Sequence, residues 1–170
     1  MARPSPERLS LDSYAVRYDT APRFGDLDPL NHLNNAALAR LYEDARVRFI
    51  NDSGVRAAWE PGCRFVVAEV TISYLAEGSF PEPVSLGSGV SRIGGSSYAI
   101  AQGLFQSGRC IGVADTTLVY MHAAEGASRR INDDMRLRLG ALTLKTGLVA
   151  PHATPATIRT PITRTDVENA

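Results

Sequence analysis

The chain has 170 residues, 44% of them apolar and 21% charged, a composition that can bury one core and does not fit a disordered chain. Lys plus Arg and Asp plus Glu both total 18, so the net charge is zero and no basic excess points to nucleic acid or an anionic membrane surface. The longest apolar runs fall far short of the about 20 residues that span a bilayer, and "MARPSPERLSLDS" lacks the apolar centre of a signal peptide, so a cytoplasmic location without membrane partners is expected.

Residues 1–12 are rich in Pro, Ser and charge and read as a flexible arm before a domain over 13–140. "YAVRYDTAPRF", Tyr14 to Phe24, reads as a first strand with Pro22 near its end. "RFGDLDPLNHLNN" follows, a turn-like segment crowded with Asp, Asn and His. "NNAALARLYEDARVRFIND" then has helical periodicity: Leu38, Leu41, Tyr42, Ala45 and Phe49 form one stripe at spacings of three and four. Asn31 or Asn34 can cap its start, and Asn51 to Gly54 supply the stop.

"CRFVVAEVTISY", Cys63 to Tyr74, alternates, placing Val66, Ala68, Val70, Ile72 and Tyr74 on one face. "VSLGSGVSRI", Val84 to Ile93, and "YAIAQGLFQ", Tyr98 to Gln106, are strands around a "GGSS" hairpin signal. "CIGVADTTLVYMH", Cys110 to His122, is the last strand, and "INDDMRLRL" a short capped helix. Residues 141–170, rich in Thr, Pro and Ala, read as an irregular tail. Cys63 and Cys110 sit in apolar strands and are expected to be buried reduced thiols. His32, His122 and His152 are scattered without metal-ligand spacing, so no metal or cofactor is expected.

One strand, a long helix and four strands joined by short turns make an antiparallel sheet with one helix against it, an α+β layer architecture. This order, together with "RFGDLDPLNHLNN", resembles the hotdog fold, a long central helix wrapped by a curled antiparallel sheet of about five strands. The segment is similar to the acyl-CoA thioesterases of the 4-hydroxybenzoyl-CoA thioesterase type, whose signature runs Arg-Phe-x-Asp-x-Asp-x-x-Gly-His-Val-Asn-Asn. Here Arg23, Phe24, Asp26, Asp28, His32, Asn34 and Asn35 match, and "LARLYEDAR" and "RIGGSSYAI" resemble the family's continuation and hairpin. The resemblance spans about Tyr14 to Leu139. The departures are Asn31 for the usual glycine, an "AAL" in place of the usual aromatic, and Leu30 where plant acyl-carrier-protein thioesterases have Asn.

A thioester needs a base or nucleophile and something to stabilise its oxyanion; its leaving thiolate, of pKa about 8.5, needs little acid help. Asp28 stands just before a helix start, whose free N–H groups and positive dipole end can polarise a carbonyl. Asp28 is therefore expected to attack or to activate water, as the second Asp of the family's pair does. His32 is the second candidate for catalysis. Asn31, Leu33 and Asn34 are expected around the substrate, with Asn34 also fixing the helix start. Asp26 is expected to hold the turn. Glu43 is expected to pair with Arg40 or Arg46. By resemblance, Arg92, Gly95 and Ser97 are candidates for holding acyl-CoA, and the protein is a homodimer or homotetramer with its active site at the subunit interface. Two other readings stand beside this one: a hotdog hydratase or dehydratase pairing His32 with Glu43, and a non-catalytic acyl-thioester-binding domain.

Overall fold

A computed structural model of the chain describes residues 4–145. The elements are β1 (Val16–Thr20), α1 (Asn35–Asp52), β2 (Cys63–Tyr74), β3 (Val84–Ile93), β4 (Ser97–Gln106), β5 (Arg109–His122) and α2 (Asp133–Gly140). The strands form one antiparallel sheet in the order β1-β3-β4-β5-β2. One main helix lies against it, the α+β arrangement that the hotdog resemblance implies.

The apolar stripe of α1 is buried through Leu38, Tyr42, Ala45 and Phe49. Leu38, Tyr42 and Ala45 pack with Val84, Leu86, Leu104 and Ile111, while Phe49 and Ile50 pack with Tyr98, Ile100, Leu118 and the α2 residues Met135 and Leu139. Leucine and isoleucine side chains buried this way stabilise by about 1.5–3 kcal/mol each. Gly54, at φ +67°, ends the stretch in the left-handed conformation that favours glycine. Arg46 is buried among the stripe residues, with Glu43 and the Thr116 hydroxyl each at 3.5 Å.

Three features differ from the sequence expectation. The face assigned to β2 changes phase midway. Val67 pairs with Leu118 and the next pair is Glu69 with Thr117, so Ala68 is bulged. One extra residue shifts the alternation, and the residues opposite Leu118, Thr116 and Ala114 are Val67, Val70 and Ile72; Val66 and Ala68 do not share their face. β2 is an edge strand, and Val67 and Val70 are exposed.

The segment read as a flexible arm folds into 3-10 turns at Pro6–Leu9 and Leu11–Ser13. Its Arg8 bonds the Asp115 carboxylate at 2.9 Å and the Ala114 carbonyl at 2.9 Å. Tyr14 lies over Gly87 and Gly103 and meets Phe105 edge-on at 6.0 Å. β1 is shorter than the run Tyr14 to Phe24: it begins at Val16, after these turns, and ends at Thr20, before Pro22 and a 3-10 turn at Phe24–Asp26.

At the other end, Leu142 accepts from the Val90 N–H at 2.8 Å and Leu144 donates to the Val90 carbonyl at 3.1 Å, where β3 is itself irregular between Val90 and Arg92. Lys145 donates to the Ser13 carbonyl at 2.8 Å. The rest of the expected tail, with His152, lies outside the described residues.

Candidate active site

The loop from Arg23 to Asn34 is built by its own polar side chains. Asp26 is buried and takes the Arg23 N–H at 2.8 Å, and the guanidinium of Arg40, from α1, bonds its other carboxylate oxygen. Its carbonyl accepts from the Asn34 N–H at 2.8 Å. Asp26 thus fixes the loop to the helix. Asp28 closes the tighter turn: its Oδ1 accepts the N–H groups of Leu30 at 2.8 Å and His32 at 3.1 Å. Its own N–H donates to the His32 carbonyl at 2.9 Å.

Asn31 sits inside this turn at φ +61°. That conformation explains the family's glycine, and asparagine is among the side chains that enter it most readily. Asn34 is the N-cap of α1, its side chain accepting from the Ala36 N–H at 2.8 Å. Leu33 is buried and donates its N–H to the Gly78 carbonyl at 2.8 Å.

Asp28, His32, Leu33 and Asn35 line a cavity of about 390 Å³, closed on the opposite side by Tyr74 to Gly78. Asn35 is the first residue of α1, so the positive end of the helix lies at this cavity. The His32 Nε2 lies 3.2 Å from Glu77 Oε2. Tyr74 donates from its hydroxyl to the Asn35 carbonyl at 3.3 Å. Two carboxylates, Asp28 and Glu77, one imidazole and one helix N-terminus therefore meet around an otherwise apolar wall of Leu33, Leu38 and Leu75. Glu43 does not line this cavity; it is exposed beside Arg46.

Arg92, Gly95 and Ser97 stand at the far end of the sheet. β3 runs ten residues from Val84, opposite Gln106, to Ile93, opposite Tyr98, a length of about 30 Å. Within one chain these three residues do not join Asp28. Gly95 lines a second, open depression of about 310 Å³ with Ser96, Ser128, Arg129, Arg130 and Arg136; Arg92 and Ser97 flank it in sequence without lining it. Arg129 pairs with Glu125, and Arg136 donates to the Gly94 carbonyl. The local run Ser128-Arg129-Arg130 supplies two of its arginines, but its meeting with the Gly95 hairpin is not visible in the sequence. Glu77 likewise carried no signal, because His32 beside it is distant in the chain.

The fold is a helix laid on an antiparallel sheet, and its cavity brings Asp28, His32 and the start of α1 together. Residues 22–139 match the model of the thioesterase-like superfamily, and the chain belongs to that family of enzymes. A thioesterase from Thermus thermophilus, solved with coenzyme A and Zn, is 28% identical over 76% of this chain and 95% of its own, with a TM-score of 0.67. The PA5185 protein of Pseudomonas aeruginosa PAO1 superposes at TM-score 0.68 over 80% of this chain and 96% of its own, at 21% identity. The BH1999 gentisyl-coenzyme A thioesterase superposes at 0.63 over 73% and 99%, at 17% identity. No curated protein sequence matches the chain. Among the described residues, no helix is long and apolar enough to cross a membrane.

Proposed function

We propose that the protein hydrolyses an acyl-CoA thioester to the free acid and CoA, with Asp28 as base or nucleophile. The observation that carries this reading is the shared cavity of Asp28, His32 and the first residue of α1. Asp28 Oδ1 is occupied by two loop N–H groups, which orient the carboxylate and leave Oδ2 for chemistry. As a base, Asp28 takes a proton from water, the hydroxyl oxygen bonds to the carbonyl carbon, and the C–S bond breaks. The electron pair leaves on sulfur, which is then protonated. As a nucleophile, Asp28 forms an acyl anhydride that water cleaves. In both routes the helix N-terminus stabilises the oxyanion. CoA is favoured as the carrier by the neighbour solved with coenzyme A.

The basic depression is a candidate seat for the CoA phosphates, in a second copy of the chain. β2 is a long edge strand on which Val67 and Val70 are exposed, a surface suited to pairing. Antiparallel pairing of two β2 strands sets the Cys63 end of one against the Tyr74 end of the other. Through Val66, Val119 and Ser97, the Cys63 end adjoins the Gly94–Ser97 hairpin. Tyr74 lines the Asp28 cavity. The partner's Arg130 and Arg136 then lie toward the Asp28 cavity. This reading makes a homodimer the smallest active unit.

The test is free-thiol release from a panel of acyl-CoAs by wild type, Asp28→Asn and Asp28→Ala. Asn keeps an oxygen that can accept the Leu30 and His32 N–H groups, so its fold is expected to persist while turnover is lost. Full turnover in Asp28→Asn would overturn the role of Asp28. A wild type inactive on every CoA and carrier-protein thioester would overturn the function.

A further inference from the structure

We infer that the cavity takes an uncharged, apolar acyl group and turns away acyl groups that end in a carboxylate, with Glu77 as the residue that sets this preference. The inference rests on the thioesterase reading, which puts the reacting carbonyl beside Asp28 at the start of α1.

The inner end of the cavity is apolar. Leu33 and Leu38 both line it, and they are only 4% and 3% exposed. Leu38 lies three residues past Asn35, about 4.5 Å further along the α1 axis. A chain extending inward from a carbonyl at Asn35 runs onto Leu38. Behind the two leucines stand Leu86, Leu104 and Ile111. Tyr42 stands there too, but its hydroxyl is buried and does not line the cavity. A carboxylate pressed into this end would lose its water against leucine side chains that offer no donor.

The rim is negative. Asp28 and Glu77 both line the cavity, and among the described residues no Lys or Arg does. Arg40, at the same end of α1, is bonded to Asp26. His32 is the one lining side chain that can take a positive charge, and Glu77 Oε2 stands 3.2 Å from its Nε2. Any charge on His32 is thus matched by Glu77, and Asp28 leaves the rim net negative. The arginines proposed to come from a second copy are occupied by the CoA phosphates, at the other end of the substrate. An acyl carboxylate that stays out of the leucine end therefore stays among carboxylates. Like charge in a site discriminates by repelling the wrong ligand. An alkyl group of the same length has only the leucines to meet. Of the two carboxylates, Asp28 is tied to the loop by two main-chain N–H groups, whereas Glu77 is 75% exposed and can be exchanged without disturbing that loop.

The test compares hexanoyl-CoA with adipoyl-CoA, equal in acyl carbon count and different by a terminal carboxylate, in full-length wild type, Glu77→Gln and Glu77→Lys. The ratio of the two kcat/KM values cancels what the shared CoA contributes. Wild type is expected to favour hexanoyl-CoA by about tenfold or more at low salt. Glu77→Gln should shrink that ratio about three- to tenfold, and Glu77→Lys should shrink it further. Sodium chloride near 1 M, where the Debye length is about 3 Å, should also narrow the wild-type ratio, which a preference of shape alone would not do. Adipoyl-CoA cleaved as well as hexanoyl-CoA by wild type, or a ratio unmoved in Glu77→Lys, would overturn the proposal and leave the thioesterase reading intact. If wild type cleaves no thioester, that reading falls, and the affinities of hexyl-CoA and carboxypentyl-CoA thioethers for the same proteins, measured by calorimetry, decide the preference by themselves.

Discussion

The Asp26 carboxylate, only 9% exposed, is bonded by the Arg40 guanidinium, so one ion pair joins the Asp28 loop to the second turn of α1. Removing Arg40 leaves that carboxylate nearly buried beside a single main-chain donor. Arg40→Met is expected to cost about 1–3 kcal/mol in urea unfolding. The same substitution in an Asp26→Asn background should cost less, because no charge is then stranded. Equal costs in both backgrounds would show that the pair does not couple loop and helix.

Gly87 is expected to tolerate no side chain. A Cβ there would lie 2.5 Å from two carbons of the Tyr14 ring. Gly87→Ala should lower stability by about 1–3 kcal/mol through overpacking. It should also loosen the N-terminal turns, raising amide exchange around Arg8. Combining it with Tyr14→Ala should recover part of the loss that the glycine change alone produces, since the clashing ring is gone.

Stability is expected to fall in alkali. Burial pushes the Cys110 thiol from 9.0 up to about 11, and the Tyr14 hydroxyl from 10.0 up to about 12. Between those limits the unfolded chain has lost protons that the folded chain keeps. The unfolded state then binds fewer protons, so unfolding becomes easier as pH rises. The urea midpoint should hold to about pH 9 and decline above it. Cys110→Ala should show the shallower decline.

A charge on the β2 edge should separate the copies. Val70→Arg places a cation on an exposed residue of the edge strand proposed to pair with a second copy. Sedimentation should report a monomer, and turnover should fall with it. Arg130→Ala with Arg136→Ala should leave the dimer intact and raise KM for acyl-CoA with little change in kcat. An active monomer would sink the shared-site arrangement.

What the sequence made legible was local. Alternation and turn residues marked β3, β4 and β5, and the three-four stripe marked α1. The Asp26 to Asn35 segment was readable because Asp26, Asp28 and Asn34 each bond main-chain N–H groups two to four residues away. The phase of β2 was not, because the bulged Ala68 is an ordinary residue whose position depends on its pairing with β5. The packing of the N-terminal turns was hidden for a similar reason: Arg8 finds Asp115 a separation of 107 residues later. Glu77 and the arginine cluster acquire meaning only when distant segments meet.

The hydrogen bond from Lys145 to Ser13 brings the chain leaving α2 to the same corner as the chain entering β1. The path from 13 to 145 is thereby almost a closed ring. A circular permutant that joins these two points through a short linker, and opens the ring at the exposed Ser107–Gly108 turn, would keep every strand neighbour of the sheet. New chain ends would then emerge near the Asp28 cavity, giving a place to tether a carrier domain beside the reacting thioester.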